Sequence, residues 1–324
     1  MTGNRFASLL LLNFLLSQIS LSGGIKTTDL HPPDLSTLRT ANTTHNAELS
    51  RASGHIEKGE FQKALPILER LHNKVPDDPA TLFYLGYARE NLGDTAGAIS
   101  AYEAFLQKHP QPEVYFRVGL LELGRGAYPE AATALQKAVE ARPDWANAQL
   151  LAAYALLSAN KPHEALPHAH KATSLDNTET APLLLGDIYF AADSFAQARA
   201  AYEEALRRNP SSPAAHLGLG KSLLGLLKPD EALPYLQKAA DQLPNNIHAH
   251  YYLALAYKSL GKLFEAQTAF QKALSMDSTH ARSHYELALL YIQEKKTSQA
   301  EIHYNALLKH NPKLAQRLAP LLGK

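Results

Sequence analysis

One spacing recurs along most of this chain: a small residue, a large one four places on, another apolar residue three further, then a proline five beyond that. It reads Ala98, Tyr102, Phe105, Pro110, and again Ala131, Leu135, Ala138, Pro143. It returns as Ala198, Tyr202, Ala205, Pro210; as Ala232, Leu236, Ala239, Pro244; and as Ala300, Tyr304, Leu307, Pro312. Upstream of these sets stand Leu85-Gly86, Val118-Gly119, Leu185-Gly186 and Leu219-Gly220, with Leu253-Ala254 and Leu287-Ala288 carrying Ala in place of Gly. A fixed period of this kind belongs to a chain built by reusing one supersecondary unit.

The upstream residues form one apolar stripe of a first helix, A, and the downstream ones a facing stripe of a second helix, B. Small residues are expected where the two helices cross closely. The proline lacks an N–H and ends helix B. Asp77-Asp78, Asp144, Ser211-Ser212, Asn245-Asn246 and Asp277-Ser278 stand where they can cap the next helix A. Pro66, Pro167 and Pro234 fall early in helix B, where a missing donor is expected to bend the helix without breaking it. A single pair cannot bury its faces, whereas stacked pairs can. After Pro312, Leu314, Leu318, Leu321 and Leu322 predict a capping helix over 313–324, with Lys313, Gln316 and Arg317 facing water.

This pattern resembles the tetratricopeptide repeat family, with an aromatic at position 4, Leu-Gly at 7–8, Tyr at 11, Ala at 20, an aromatic at 24, Ala at 27 and Pro at 32. Eight repeats align, over 45–78, 79–111, 112–145, 146–178, 179–212, 213–246, 247–280 and 281–312. Repeat 4 departs most, with Gln149 for the aromatic, Ala153 for the Gly and Asn177 for the Pro. Repeat 1 is also poor, with Ala52 and His55 at positions 8 and 11, as suits an end repeat. The resemblance implies an all-α, right-handed α-solenoid that binds other proteins.

Ahead of the repeats, Arg5 and the apolar run Phe6 to Leu16 precede Ser20-Leu21-Ser22. An 11-residue helix rises about 16 Å, short of a hydrocarbon core of roughly 30 Å. The expectation is a signal peptide over 1–22 cleaved after Ser22, with an uncleaved anchor as the alternative, and a mature chain with no membrane span. Residues 23–44 read as a disordered linker rich in Gly, Pro, Ser and Thr, with a glycosylation sequon at Asn42-Thr43-Thr44. The mature protein would be periplasmic or extracellular. Without cysteine it has neither thiol chemistry nor disulfides. Thirty-two basic against 31 acidic residues argue against a general nucleic-acid binder.

Motifs that look like chemistry fall on helices. Ala215 to Ser222 fits a loose phosphate-loop pattern, but inside a helix A its amides are already paired. His168/His170 and His248/His250 are two apart and face different ways. His280/His284 have a ligand spacing without an obvious carboxylate partner, and His216, His250 and His284 read as half-buried stand-ins for the aromatic at position 4. No metal, cofactor or catalytic role is expected.

In the family, positions 2, 5, 9, 12 and 13 of helix A line a concave ligand face. Carried onto this chain, the resemblance puts Phe83, Tyr87, Phe116, Leu120, Tyr154, Asp187, Phe190, Lys221, Tyr251, Lys258, Tyr285 and Ile292 there. The row is mostly apolar. It lacks the Asn at position 9 of the family's carboxylate clamps, and position 6 (Ser50, Tyr84, Arg117, Leu151, Leu184, Gly218, Tyr252, Glu286) lacks an Asn ladder. The implied function is an exported scaffold holding an extended or helical segment of an envelope protein. A competing reading packs these residues against the neighbouring repeat. Self-association into a structural oligomer is the alternative function, with an unrecognised enzyme behind it.

Overall fold

The computed structural model describes residues 43–324, so the expected signal peptide and all but the last two residues of the expected linker lie outside the described residues. Those last two, Thr43 and Thr44, already belong to the first helix, because the chain here runs directly into the apolar stripe of repeat 1.

The described residues form 17 α-helices and a short 3-10 helix, with no strand. Two compact units divide at Asp176/Asn177, where the repeat pattern carries Asn177 in place of Pro. The first unit holds α1 (Thr43–Glu57), α2 (Phe61–Lys74), α3 (Pro79–Asn91), α4 (Thr95–Leu106), α5 (Pro112–Arg125), α6 (Tyr128–Ala141), α7 (Ala146–Ser158) and α8 (Pro162–Leu175). The second holds α9 (Thr180–Ala191), α10 (Phe195–Arg208), α11 (Pro213–Gly225), α12 (Pro229–Gln242), α13 (Ile247–Ser259), α14 (Leu263–Met276), α15 (Ala281–Gln293), α16 (Thr297–His310) and α17 (Pro312–Leu318), then a 3-10 turn at Ala319–Leu322. Odd-numbered helices through α15 are the A helices and even-numbered ones the B helices. Within each unit every A helix packs on its own B helix, and each B helix on the A helix that follows it.

Glycine at position 8 is explained by what lies on it. A Cβ added at Gly86 or Gly186 would lie 2.7 or 2.6 Å from the ring of Tyr102 or Tyr202; at Gly119 or Gly220 it would lie 2.5 or 2.4 Å from Leu135 or Leu236. The small residue therefore accommodates the large position-24 side chain of helix B, as well as the approach of the backbones. Repeat 4 pairs Ala153 with Ala169, so its loss of Gly is matched by loss of the bulky partner.

The A–B turn carries a rule that the sequence reading missed. Its fifteenth position is left-handed in every repeat: Gly59, Gly93, Gly126, Asn160, Asp193, Leu227, Gly261 and Lys295 have φ between 54° and 81°. The next amide closes back five residues, as in Asp94 N to Arg89 O and Lys228 N to Leu223 O, both 2.9 Å. This is a Schellman ending that satisfies the last carbonyls of helix A.

Capping of the A helices differs in part from expectation. Asp78, Ser212 and Asn246 accept from the amides of Thr81, Ala215 and Ala249. Asp144 does not cap, because Trp145 takes the N-cap position with no side-chain hydrogen bond. Asp277 instead accepts from Thr279 N and Oγ1, and His280 precedes α15. Pro66, Pro167 and Pro234 stand at the sixth residue of α2, α8 and α12, which remain continuous. The donor removed at that depth is a paired one, not a free one as the sequence reading had it. The helices tolerate it because the carbonyls left over belong to Gln62, His163 and Asp230, all exposed to water. The final helix begins at Pro312, capped by Asn311, and tightens to 3-10 at Ala319 beside Pro320.

Candidate protein-binding face

The A helices touch each other across repeats, α9 with α11 and α11 with α13 in the second unit and α1 with α3 in the first. Within each unit, side chains pointing away from the B helices therefore share a face, where a ligand would meet several repeats at once. The twelve residues expected on it divide by environment.

Four are buried: Phe83 (2 % exposed), Phe116 (0 %), Tyr154 (1 %) and Tyr251 (7 %), and these are corrected from ligand-lining to core. Phe83 lies among the rings of Tyr84, Tyr87, Tyr102 and Phe105. Phe116 is covered by the indole of Trp145, centroids 4.4 Å apart. Tyr154 meets Tyr128 edge-on, and Tyr251 packs on Tyr252, Phe270 and His280. Two more, Tyr285 and Ile292, pack into the cluster closed by Ala315 and Leu318 of α17, and Arg317 lies over the Tyr285 ring at 5.5 Å. The helix expected to cap the array thus also occupies the last part of the face.

Tyr87, Leu120, Asp187, Phe190, Lys221 and Lys258 remain half-buried. Most hold structural partners. Tyr87 lies under the Arg117 guanidinium at 4.9 Å, and Arg117 donates from Nη1 to both Glu90 oxygens at 3.0 Å. Tyr102 donates to Glu90 (2.6 Å), and burial and then the Glu90 charge push its pKa well up. Tyr202 donates to Asp187 (2.6 Å) and is raised in the same way, by burial first and then by Asp187. Lys258 pairs with Glu286 at 2.5 Å. Lys221 has rings instead: its Nζ lies 4.4 Å from the Phe190 centroid and 5.5 Å from that of Tyr252.

The reading by residue position missed Tyr252, Arg117 and Glu90, although position 6 displayed the first two in plain view. Neither is an Asn, the residue type whose recurrence at position 6 would mark a peptide-holding ladder.

The polar residues at position 4 have a definite task. Gln149 Nε2 donates to Pro143 O (2.9 Å), and Nε2 of His216, His250 and His284 meets the carbonyl of Pro210, Pro244 and Ser278 at 3.2, 3.0 and 2.9 Å. A carbonyl only accepts, so each Nε2 carries the hydrogen. These side chains fill the aromatic place and also tie down the turn six residues back. Nδ1 of the same His284 ring shares a 2.8 Å hydrogen bond with Nδ1 of His303. Burial, and then His284, push the His303 pKa down to about 4. Among the described residues no three His, Asp or Glu stand close enough to hold a metal ion. Ala215 to Ser222 lie within α11, where Ser222 Oγ donates to Gly218 O.

Three family models, each described as tetratricopeptide repeat, match residues 80–112; 116–180, 183–247 and 218–263; and 259–324. The chain belongs to the tetratricopeptide repeat family, and none of the matched models describes an enzyme. No curated protein matches it. Among solved structures it is similar to an APC/C hetero-tetramer, Cut9–Hcn1, at 18% identity and TM-score 0.58 over 90% of this chain, spanning only 57% of that one. It is also similar to Pseudomonas aeruginosa pilF, at 20% identity and TM-score 0.55, with 64% of this chain and 96% of that one covered. The C-terminal part of a repeat-containing protein from Cytophaga hutchinsonii matches at 16% identity and TM-score 0.55, with 72% and 97% covered. These likenesses establish the fold.

Proposed function

We propose that this protein is an exported scaffold whose A-helix face forms a groove holding a segment of another envelope protein. The observation that carries the reading is the half-buried Tyr87 and Leu120 on α3 and α5 of the first unit, and Phe190, Lys221 and Lys258 on α9, α11 and α13 of the second, where rings and charges remain within reach of solvent. Rings of this kind supply contact area at little entropic cost. Export rests on the Phe6 to Leu16 run and the Ser20-Leu21-Ser22 site that follows it. No helix among the described residues is long and apolar enough to cross a membrane.

A photo-crosslinking residue in place of Leu120 or Lys258 tests the groove against one in place of Gln237, which is exposed on helix B. In native envelopes each of the two A-face positions, one in each unit, should trap a protein species that Gln237 does not. Equal or stronger trapping from Gln237 would move the binding surface elsewhere. Intact mass should show a chain starting at Gly23; an unprocessed chain would favour the anchor. Sedimentation over a concentration series separates a monomeric scaffold from the self-associating alternative.

A further inference from the structure

We propose that the A–B turn edge of repeats 6 and 7 is a docking surface for a second copy of this chain, anchored on Leu227 and Phe264. These are the two most exposed large apolar side chains among the described residues, at 87 % and 78 %. Neither contributes much packing inside the chain. Leu227 is the one large apolar side chain among the eight left-handed turn positions, a conformation that disfavours a β-carbon. Phe264 is the second residue of α14, a place where the other seven repeats carry Gln, Ala, Pro, His, Asp or Ser. A backbone cost retained without packing in return points outward, to a contact that the single chain does not make.

The two side chains lie on one edge of the second unit. Successive A–B turns touch there: a Cβ added at Gly225, the end of α11, would lie 2.6 Å from the ring of Phe195 at the start of α10. Both α11 and α12 pack on α13, so the turns of repeats 6 and 7 stand side by side, about 10 Å apart at helix spacing. Half-buried Leu226 and Leu260 end the two A helices at this edge. A lipid surface does not fit it. Across the two turns Lys228 and Lys262 stand against Asp230, Glu231 and Glu265, which leaves no basic surplus for anionic headgroups. The flanking turns add Asp193 on one side and Lys295 and Lys296 with Glu294 on the other, which cancel. The charges suit a second copy of the same edge. Glu231 is held by Lys228 at 2.7 Å and Arg199 at 3.8 Å, whereas Asp230 in repeat 6 and Lys262 in repeat 7 have no ion pair among the described residues. A twofold axis between the two turns sets repeat 6 of one copy on repeat 7 of the other. Leu227 then meets Phe264 of the second copy and Asp230 meets its Lys262, each contact made twice, with Glu265 hydrated at the rim. So few anchors make a transient pair, with an interface below about 1,200 Å² and a Kd on the order of 10–100 μM. Pairing at the turns leaves the A-helix face of each copy open to another protein.

Sedimentation velocity of the full chain at rising concentration, with a urea melt of each variant, tests this. The unaltered chain should shift from monomer toward dimer. Leu227→Gly should lose that shift while its urea midpoint does not fall, because the change relieves the left-handed backbone and the loss is then not one of folding. Phe264→Gln should weaken pairing about tenfold. Asp230→Lys and Lys262→Asp should each weaken it several-fold by setting like charges together twice. An equal mixture of those two variants should recover it, since every charged contact across the mixed pair is again between opposite signs. Ile302→Ser, 66 % exposed on α16, should leave pairing unchanged. A dimer that survives Leu227→Gly, a mixture that pairs no better than either charge variant, or an equal loss with Ile302→Ser would each overturn the proposal. A chain that stays monomeric at every concentration would also overturn it, and flotation of that monomer with phosphatidylglycerol vesicles, lost in Leu227→Gly, would give the edge to lipid instead.

Discussion

Leu227 is a β-carbon-bearing residue at φ 58°, in a place where four of the eight repeats have Gly. The left-handed conformation costs an L-residue about 1–2 kcal/mol, more than the roughly 0.5–1 kcal/mol of extra chain entropy that Gly loses on folding. The Leu227 side chain is 87 % exposed, so removing it forfeits almost no packing. Leu227→Gly is therefore expected to stabilise the protein by on the order of 0.5–1 kcal/mol, read as a higher urea midpoint at unchanged slope. The adjoining Schellman closure from Lys228 N to Leu223 O should be retained.

At the scale of helices and turns, the histidines of the last repeats make folding depend on pH. His303 and His280 both titrate at about 4 in the folded protein, driven by burial first, then by His284 for the former and His248 for the latter. Unfolded, each would titrate near the model value of 6.5. Between those values the unfolded chain binds more protons, so stability rises with pH there. The contribution is complete above 6.5 and is lost as pH falls toward 4. At about 1.4 kcal/mol per unit this amounts to roughly 3 kcal/mol for each ring, reduced by the solvent that reaches these half-buried groups. Urea midpoints should fall between pH 7 and pH 5, and His303→Gln should flatten that dependence. A midpoint that stays constant over this range would remove the histidine account.

Within each unit, each helix packs on its neighbours in sequence, so stability is a sum of local terms. Phe105 and Phe270, both fully buried, belong to different units. Truncating either to Ala should cost about 3–5 kcal/mol. Phe105→Ala should speed amide exchange in α3 to α6 and leave α13 to α16 near their original rates, and Phe270→Ala should do the reverse. Hydrogen exchange with mass spectrometry checks both. A uniform rise over the chain would mean one cooperative unit and not a graded array.

The repeat, its helix pairing and its family were legible in the residues, because period-34 spacing and Pro-ended helices reflect local physics that survives without a third dimension. Gly86 and Gly186 marked close crossings before Tyr102 and Tyr202 were seen lying on them. The fate of the face was not legible. Phe116 became core only because Trp145 folds over it, and Tyr285 because α17 returns to cover it; both contacts join different repeats or elements. The eight-fold left-handed turn was hidden by five different residue types at one position. Sequence alone determined which side chains point away from helix B. Tertiary packing decided which of those remain within reach of a partner, since exposure depends on what the neighbouring repeat places above them.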